Sequence, residues 1–171
     1  MSDTEILAGK VLQTLQQRGL MMATAESCTG GLVAGAITDL NGASNILDRG
    51  FVTYTNDAKI DMLGVQPETI EQYGAVSEQC AREMAAGALR NSRADIAVAI
   101  TGIAGPGGGS PDKPVGLVWF GIAVRDQTVK TEKRNFAPEG RAIVRRDSVM
   151  TALQLVLDAA ESLSRQTEAT P

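Results

Sequence analysis

Leu20-Met-Met-Ala-Thr-Ala-Glu-Ser-Cys-Thr-Gly-Gly-Leu-Val-Ala-Gly-Ala-Ile37 changes its hydrophobic character in the middle. The apolar run 20–25 predicts a short buried strand, and the run 32–37 predicts the first turns of a helix. Between them, Thr24-Ala-Glu-Ser-Cys-Thr-Gly-Gly31 puts Ser27, Cys28 and Thr29 at a strand-to-helix switch. Unpaired helix N–H groups and the positive end of the helix dipole lie beside such a switch. It is a place to hold an anion, or to activate a hydroxyl or a thiol. The structural alternative is that Ser27 or Thr29 simply caps the helix, with the glycines allowing close packing. The octet alone is balanced between the two.

Working outward, residues 4–18 predict a helix with Leu7, Val11, Leu12 and Leu15 on one face and Gly19 as its stop. After the octet the helix runs to about Leu40, and Asn41-Gly42-Ala43-Ser44 marks a turn. Phe51-Val-Thr-Tyr-Thr55 predicts a strand. Asn56 or Asp57 then caps a short helix that carries Lys59 and stops at Gly64. Pro67 opens another short helix, with Glu68 near its positive end. Ser77 caps a helix over 78–91 whose inner stripe is Ala81, Met84, Ala85 and Ala88. The continuous apolar run 96–100, ending in Thr101-Gly102, suits a strand covered on both faces.

The segment 115–124 is the most apolar and predicts a central strand, with Trp119 and Phe120 in the core. Residues 127–136 carry Lys130, Glu132, Lys133 and Arg134, which suits a solvated edge strand. The last helix, about 139–164, buries Val149, Leu153, Val156, Ala160 and Leu163. The tail from Arg165 to Pro171 is expected to be disordered. The pattern predicts an α/β fold: a three-layer α/β/α sandwich with a mixed, mostly parallel sheet. One domain is expected over 1–171, with a core of about 5–165 and no dividing linker.

Composition removes whole classes of chemistry. The 171 residues include no histidine. Ser-His-Asp and Cys-His arrangements are therefore impossible, as is a His-ligated metal site. Any activated nucleophile must take its base from Lys, Tyr, Asp, Glu or a chain terminus. Burial or neighbouring charge can fit a lysine for that task. The net charge of -4, without a basic run, argues against nucleic-acid binding driven by phosphate neutralisation. A small phosphorylated ligand needs only a few donors. The two cysteines, Cys28 and Cys80, form neither a zinc spacing nor a disulfide framework. No signal-peptide pattern or bilayer-length apolar run is present, so a cytoplasmic setting is expected.

Several constellations could carry chemistry. In the loop Gly102-Ile-Ala-Gly-Pro-Gly-Gly-Gly-Ser-Pro-Asp-Lys-Pro114, no Gly-Lys-Ser/Thr closes a phosphate loop. Ser110 stands where a dinucleotide fingerprint needs its last glycine. Glycines can still turn successive N–H groups toward an anion, and the loop follows a strand end, where ligands of open α/β sheets gather. The alternative is a flexible surface connection. Tyr54 and Lys59 could reach the same sheet edge as Ser27, although a solvated lysine and a packed tyrosine explain their spacing more simply. Arg141 and Arg145 share a helix face, with Arg146 beside them, and could clamp a phosphate or carboxylate or form surface ion pairs. Cys28 is the rival nucleophile, since a helix N-terminus can lower a thiol pKa, or else a small buried hydrophobe. Nothing in the spacing pairs Glu26 with Asp39.

The motifs Thr24-Ala-Glu-Ser-Cys-Thr-Gly-Gly31, Gly50-Phe-Val-Thr-Tyr-Thr-Asn56 with Lys59, Gly74-Ala-Val-Ser77, and Thr101-Gly-Ile-Ala-Gly-Pro106 with Lys113-Pro-Val-Gly116 together resemble the CinA C-terminal domain family. The resemblance runs from about residue 5 to 165. Members occur as free enzymes, among them nicotinamide-nucleotide amidohydrolases, and as domains fused behind a larger N-terminal domain, for which this chain leaves no room. The resemblance implies an α/β/α fold, a homodimer or higher homo-oligomer, and deamidation of nicotinamide mononucleotide to nicotinic acid mononucleotide and ammonia. It implies no metal, no organic cofactor, and neither nucleic acid nor membrane as partner. By position, Ser27 matches the serine nucleophile, Tyr54 and Lys59 the residues that activate it, Thr101 a residue at the substrate or reacting centre, and Arg141 an arginine at the substrate. On that reading, backbone N–H groups after Ser27, at Thr29, Gly30 and Gly31, can stabilise an oxyanion. The loop with Gly102 and Gly105, together with Arg141, can hold the nucleotide phosphate. The alternative is a non-catalytic nucleotide-binding or regulatory interaction module of the same fold.

Overall fold

The computed structural model describes residues 1–168. Its elements follow in the order α1 (Asp3–Arg18), β1 (Met22–Glu26), α2 (Leu32–Thr38), β2 (Leu47–Val52), α3 (Asn56–Leu63), α4 (Pro67–Tyr73), α5 (Glu78–Arg90), β3 (Ile96–Gly102), β4 (Leu117–Val124), β5 (Lys130–Asn135) and α6 (Arg141–Glu168). A single 3-10 turn at Ala43–Asn45 precedes β2. The strand order is β2-β1-β3-β4-β5. β1 pairs in parallel with β2 and β3, while β4 runs antiparallel to both β3 and β5. All strands but β4 therefore point the same way, as expected for a mixed, mostly parallel sheet. The middle position belongs to β3, not to the expected segment 115–124. That segment, as β4, lies one step nearer the edge.

Side-chain alternation along β3 divides the core into two layers. Ile96, Val98 and Ile100 face one layer with Leu7, Val11 and Leu15 of α1, Val33 and Ile37 of α2, and Val149, Leu153 and Val156 of α6. Ala97 and Ala99 face the other, with Leu63 of α3 and Met84, Ala85 and Ala88 of α5. The small residues on this second face let α5 approach the sheet closely. A Cβ on Gly121 of β4 would sit 2.4 Å from the Ala81 carbonyl oxygen. Local signals set the helix ends. Ser2 and Glu5 form a capping box for α1, and Gly19 closes it in the left-handed region. Ser77 caps α5 by accepting from the Cys80 N–H.

The strand expected at 51–55 is instead β2, Leu47–Val52. It is an edge strand, and its Asp48-Arg49-Gly50 stretch lacks the apolar run that periodicity detects. Parallel pairing with β1 decides its bounds. Gly50 gives that pairing room, because a Cβ there would lie 2.7 Å from Thr24 Oγ1. Tyr54 consequently lies beyond the strand. Thr55, not Asn56 or Asp57, caps α3 by accepting from the Ala58 N–H. Phe120 is fully buried, but Trp119 is only half-buried, with Lys133 Nζ 5.9 Å from its ring centroid. α6 continues to Glu168, so part of the expected tail is helical, and 169–171 lie outside the described residues.

Gly121→Ala tests the close packing of α5. It should cost about 1–3 kcal/mol of stability through overpacking, read as a lower urea midpoint. An unchanged midpoint would show that the sheet and α5 are not in such contact.

Candidate functional site

The parallel strands β2, β1 and β3 end side by side, and the site is assembled at those ends. Glu26 is the last residue of β1, paired across to Val52 and Ile100. Its carbonyl accepts from the Thr53 N–H at 2.9 Å, and the next residue, Ser27, donates its N–H to Ile100 O at 2.9 Å. The Glu26 side chain is fully buried. Its carboxylate accepts from the N–H groups of Val33 at 2.8 Å and Ala34 at 3.1 Å, in the first turn of α2. The residue at the cap position of α2, Gly31, makes no side-chain cap bond. Two expectations are corrected here. Neither Ser27 nor Thr29 caps the helix, and the helix end is not open to an external anion, because the chain's own carboxylate fills it.

Lys59 comes from the second turn of α3 and is buried, with 1% exposure. Its Nζ lies 3.0 Å from Ser27 Oγ, 3.0 Å from Thr53 O and 3.3 Å from Tyr54 O. No carboxylate pairs with it among the described residues. Burial therefore pushes its pKa below the ordinary lysine value. Nζ donates to all three oxygens, the two carbonyls and the serine hydroxyl; loss of one proton would leave two donors for the carbonyls and a lone pair facing Ser27 Oγ.

The turn after Ser27 needs glycine, with φ of 58° at Gly30 and 104° at Gly31. Gly30 donates its N–H back to Ser27 O at 3.0 Å, and Leu32 donates to Thr29 O at 3.0 Å. The N–H groups of Thr29 and Gly31 meet no acceptor among the described residues. Cys28 is buried, and burial raises its thiol pKa to about 11. Of the two readings of Cys28, the buried hydrophobe holds and the helix-end lowering does not, because burial outweighs the charges near the thiol.

Tyr54 divides its contacts. Its carbonyl accepts from Lys59, while its largely exposed side chain is held by Arg141. The phenol oxygen accepts from Arg141 Nη2 at 2.7 Å, and Arg141 Nη1 donates to Gly105 O at 2.8 Å. Arg141 thus ties Tyr54 to the glycine loop. Thr101 is buried at the end of β3 and donates its hydroxyl to Ala75 O at 2.8 Å, with Gly102 next to it closing the strand. The arginine trio splits. Arg145 donates to Cys28 O at 3.0 Å and Thr29 O at 3.4 Å, whereas Arg146 pairs with Asp147 at 2.9 Å. Spacing gave no role to Glu26 or Thr53. For Glu26 a signal existed: an acidic residue in an apolar strand, followed by a helix start without a capping side chain. Among the described residues there is no cluster of three or more metal-ligating side chains, and no helix is long and apolar enough to cross a membrane.

The CinA C-terminal domain model matches residues 4–160. The chain is 52% identical over 156 residues to the protein named nicotinamide-nucleotide amidohydrolase PncC of Escherichia coli K12, covering 90% of this chain and 94% of that protein. It is 51% identical over 132 residues to a putative competence-damage inducible protein of Caldicellulosiruptor saccharolyticus, covering 77% of this chain but 32% of that longer protein. Among solved structures, the competence/damage inducible protein CihA of Agrobacterium tumefaciens superposes with a TM-score of 0.91 at 53% identity, covering 94% of this chain and 97% of that one.

Glu26→Ala would leave the Val33 and Ala34 amides without an acceptor. A loss of about 1–3 kcal/mol per stranded group is expected, measured by urea unfolding. Unchanged stability would show that the carboxylate does not hold the helix.

Proposed function

The chain belongs to the CinA C-terminal domain family, and from that premise we propose that it is an amidohydrolase that converts nicotinamide mononucleotide and water to nicotinic acid mononucleotide and ammonia. The observation that carries this reading is the 3.0 Å contact between Ser27 Oγ and the buried Nζ of Lys59. Relatives that are 52% identical and named nicotinamide-nucleotide amidohydrolase support the substrate.

The proposed steps use that contact. Lys59, as the free amine, takes the Ser27 hydroxyl proton while Oγ attacks the carboxamide carbon. The cationic pyridinium ring makes that carbon more electrophilic. The oxyanion is received by the Thr29 and Gly31 N–H groups, while Gly30 keeps the turn wound. When the tetrahedral adduct collapses, Lys59 gives its proton to the departing nitrogen, ammonia leaves, and Ser27 is left as the nicotinoyl ester, still bearing its ribose phosphate. Water then attacks the ester, Lys59 takes its proton, and that proton returns to Ser27 Oγ as the acid is released. Arg141 with Gly105 and the glycine loop holds the phosphate, and Thr101 and Gly102 border the reacting end. Tyr54 acts through its carbonyl on Lys59 and through its phenol on Arg141. A homodimer or higher assembly and a reducing cytoplasm belong to the same reading.

Ammonia release from nicotinamide mononucleotide is the test. Ser27→Ala should abolish it, and Lys59→Ala should lower kcat by about 10²–10⁴, with both proteins folded. Cys28→Ser should retain activity. Full turnover by Ser27→Ala and Lys59→Ala would overturn the mechanism. Tight nucleotide binding without product on long incubation would instead favour a binding module.

The pH profile supplies a separate check. Lys59 works deprotonated, so kcat should rise with pH through its lowered pKa, giving an ascending limb below the ordinary lysine value of 10.5. Activity lost on the acid side should return when the pH is raised. A rate that falls as the pH rises from acid toward neutrality would contradict Lys59 as the base.

A further inference from the structure

Resting on the hydrolase reading, we propose that Arg145 is a positioning residue: by gripping two successive carbonyls of the turn after Ser27, it aims the Thr29 N–H at the developing oxyanion. Arg145 Nε donates to Cys28 O at 3.0 Å and Nη2 donates to Thr29 O at 3.4 Å. The Cys28 carbonyl and the Thr29 N–H belong to one planar trans peptide unit and point in opposite directions. Fixing the first therefore fixes the second. The Thr29 N–H has no acceptor among the described residues, and it sits two residues past the hydroxyl that attacks. The Thr29 carbonyl shares its unit with the Gly30 N–H, which closes on Ser27 O at 3.0 Å. One guanidinium thus orients both peptide units, the first leaving a donor free and the second winding the turn.

Three further observations favour positioning over a surface role. The turn contains Gly30 and Gly31 at positive φ, where backbone freedom is greatest and external restraint counts most. Arg145 is half-buried and has no carboxylate partner among the described residues, whereas its neighbour Arg146 pairs with Asp147. The guanidinium also lies close against the turn: a Cβ on Gly30 would stand 3.5 Å from Arg145 Nη2. Its planar fork suits two-point contact with successive carbonyls in a way that an ammonium does not.

The test compares the unaltered protein with Arg145→Ala and Arg145→Lys in steady-state turnover of nicotinamide mononucleotide, alongside the thermal unfolding of each. Removing a whole oxyanion donor costs about 10²–10³ in kcat, so misaiming one should cost about tenfold to hundredfold. KM should stay within about threefold, because the contact serves the transition state. Arg145→Lys should fall between the other two proteins and decides the matter if Arg145→Ala does not fold. Guanidinium at low concentration should restore part of the Arg145→Ala rate. A raised KM with unchanged kcat would assign Arg145 to the substrate and overturn the proposal, as would full activity in both variants. A lowered kcat without guanidinium rescue would assign the loss to general loosening and overturn it too. No turnover by the unaltered protein would instead bring down the hydrolase reading, and this proposal with it.

Discussion

A buried carboxylate at the end of a strand determines where everything else in the site can stand. Glu26 keeps its backbone in the sheet and spends its side chain on two amides of α2. A carboxylate in the interior is costly unless its oxygens are hydrogen-bonded, and here helix amides do the bonding. The strand and the helix are thereby locked at one relative position. The residues between them must close as a tight turn, and Ser27 heads that turn. Filling the helix end with an internal anion also removes the dipole as a general phosphate trap.

The sheet topology explains why distant segments meet. Three parallel strands finishing together bring residues 26–28, 53–54 and 101–105 to one edge. α3 folds back beneath that edge and delivers Lys59 to Ser27 from 32 positions away. α6 returns from the far end of the chain and lays two arginines, one turn apart, over the same edge. Arg141 reaches the glycine loop and Tyr54, and Arg145 reaches the turn. Arg146, one residue on, is rotated off this face and pairs with Asp147.

Much of this is legible in one dimension, for identifiable reasons. Helices with full apolar stripes and ordinary caps, such as α1 and α5, declare themselves, as does the unbroken apolar run of β3. β2 hides because an edge strand needs no apolar alternation, and its bounds come from pairing with β1. Trp119 misleads because an aromatic in an apolar strand reads as core, whereas the edge position of β5 leaves its ring under Lys133. At the site, the residue types were readable and the contacts were not. Glu26 looked unpartnered, since its partners are main-chain amides that no pattern of side chains reveals. For Cys28 the sequence left a helix-end thiol and a buried hydrophobe both open, and the choice turns on burial, which one dimension does not show. The orientation of the Tyr54 phenol toward Arg141 depends on α6, 87 residues later.

Lys59 carries one more implication, for how such a protein can evolve. An amine buried without a counter-ion is held more weakly protonated in the folded chain than in the unfolded one. In the interval below the ordinary lysine value the native state therefore binds fewer protons, and its margin over the unfolded state widens with alkalinity. On the proposed mechanism that strain is inherent in the chemistry, because a lysine comfortable in the fold would be a charged one and useless as a proton acceptor. Lineages under pressure to endure heat and lineages under pressure to turn over quickly would pull this side chain in opposite directions.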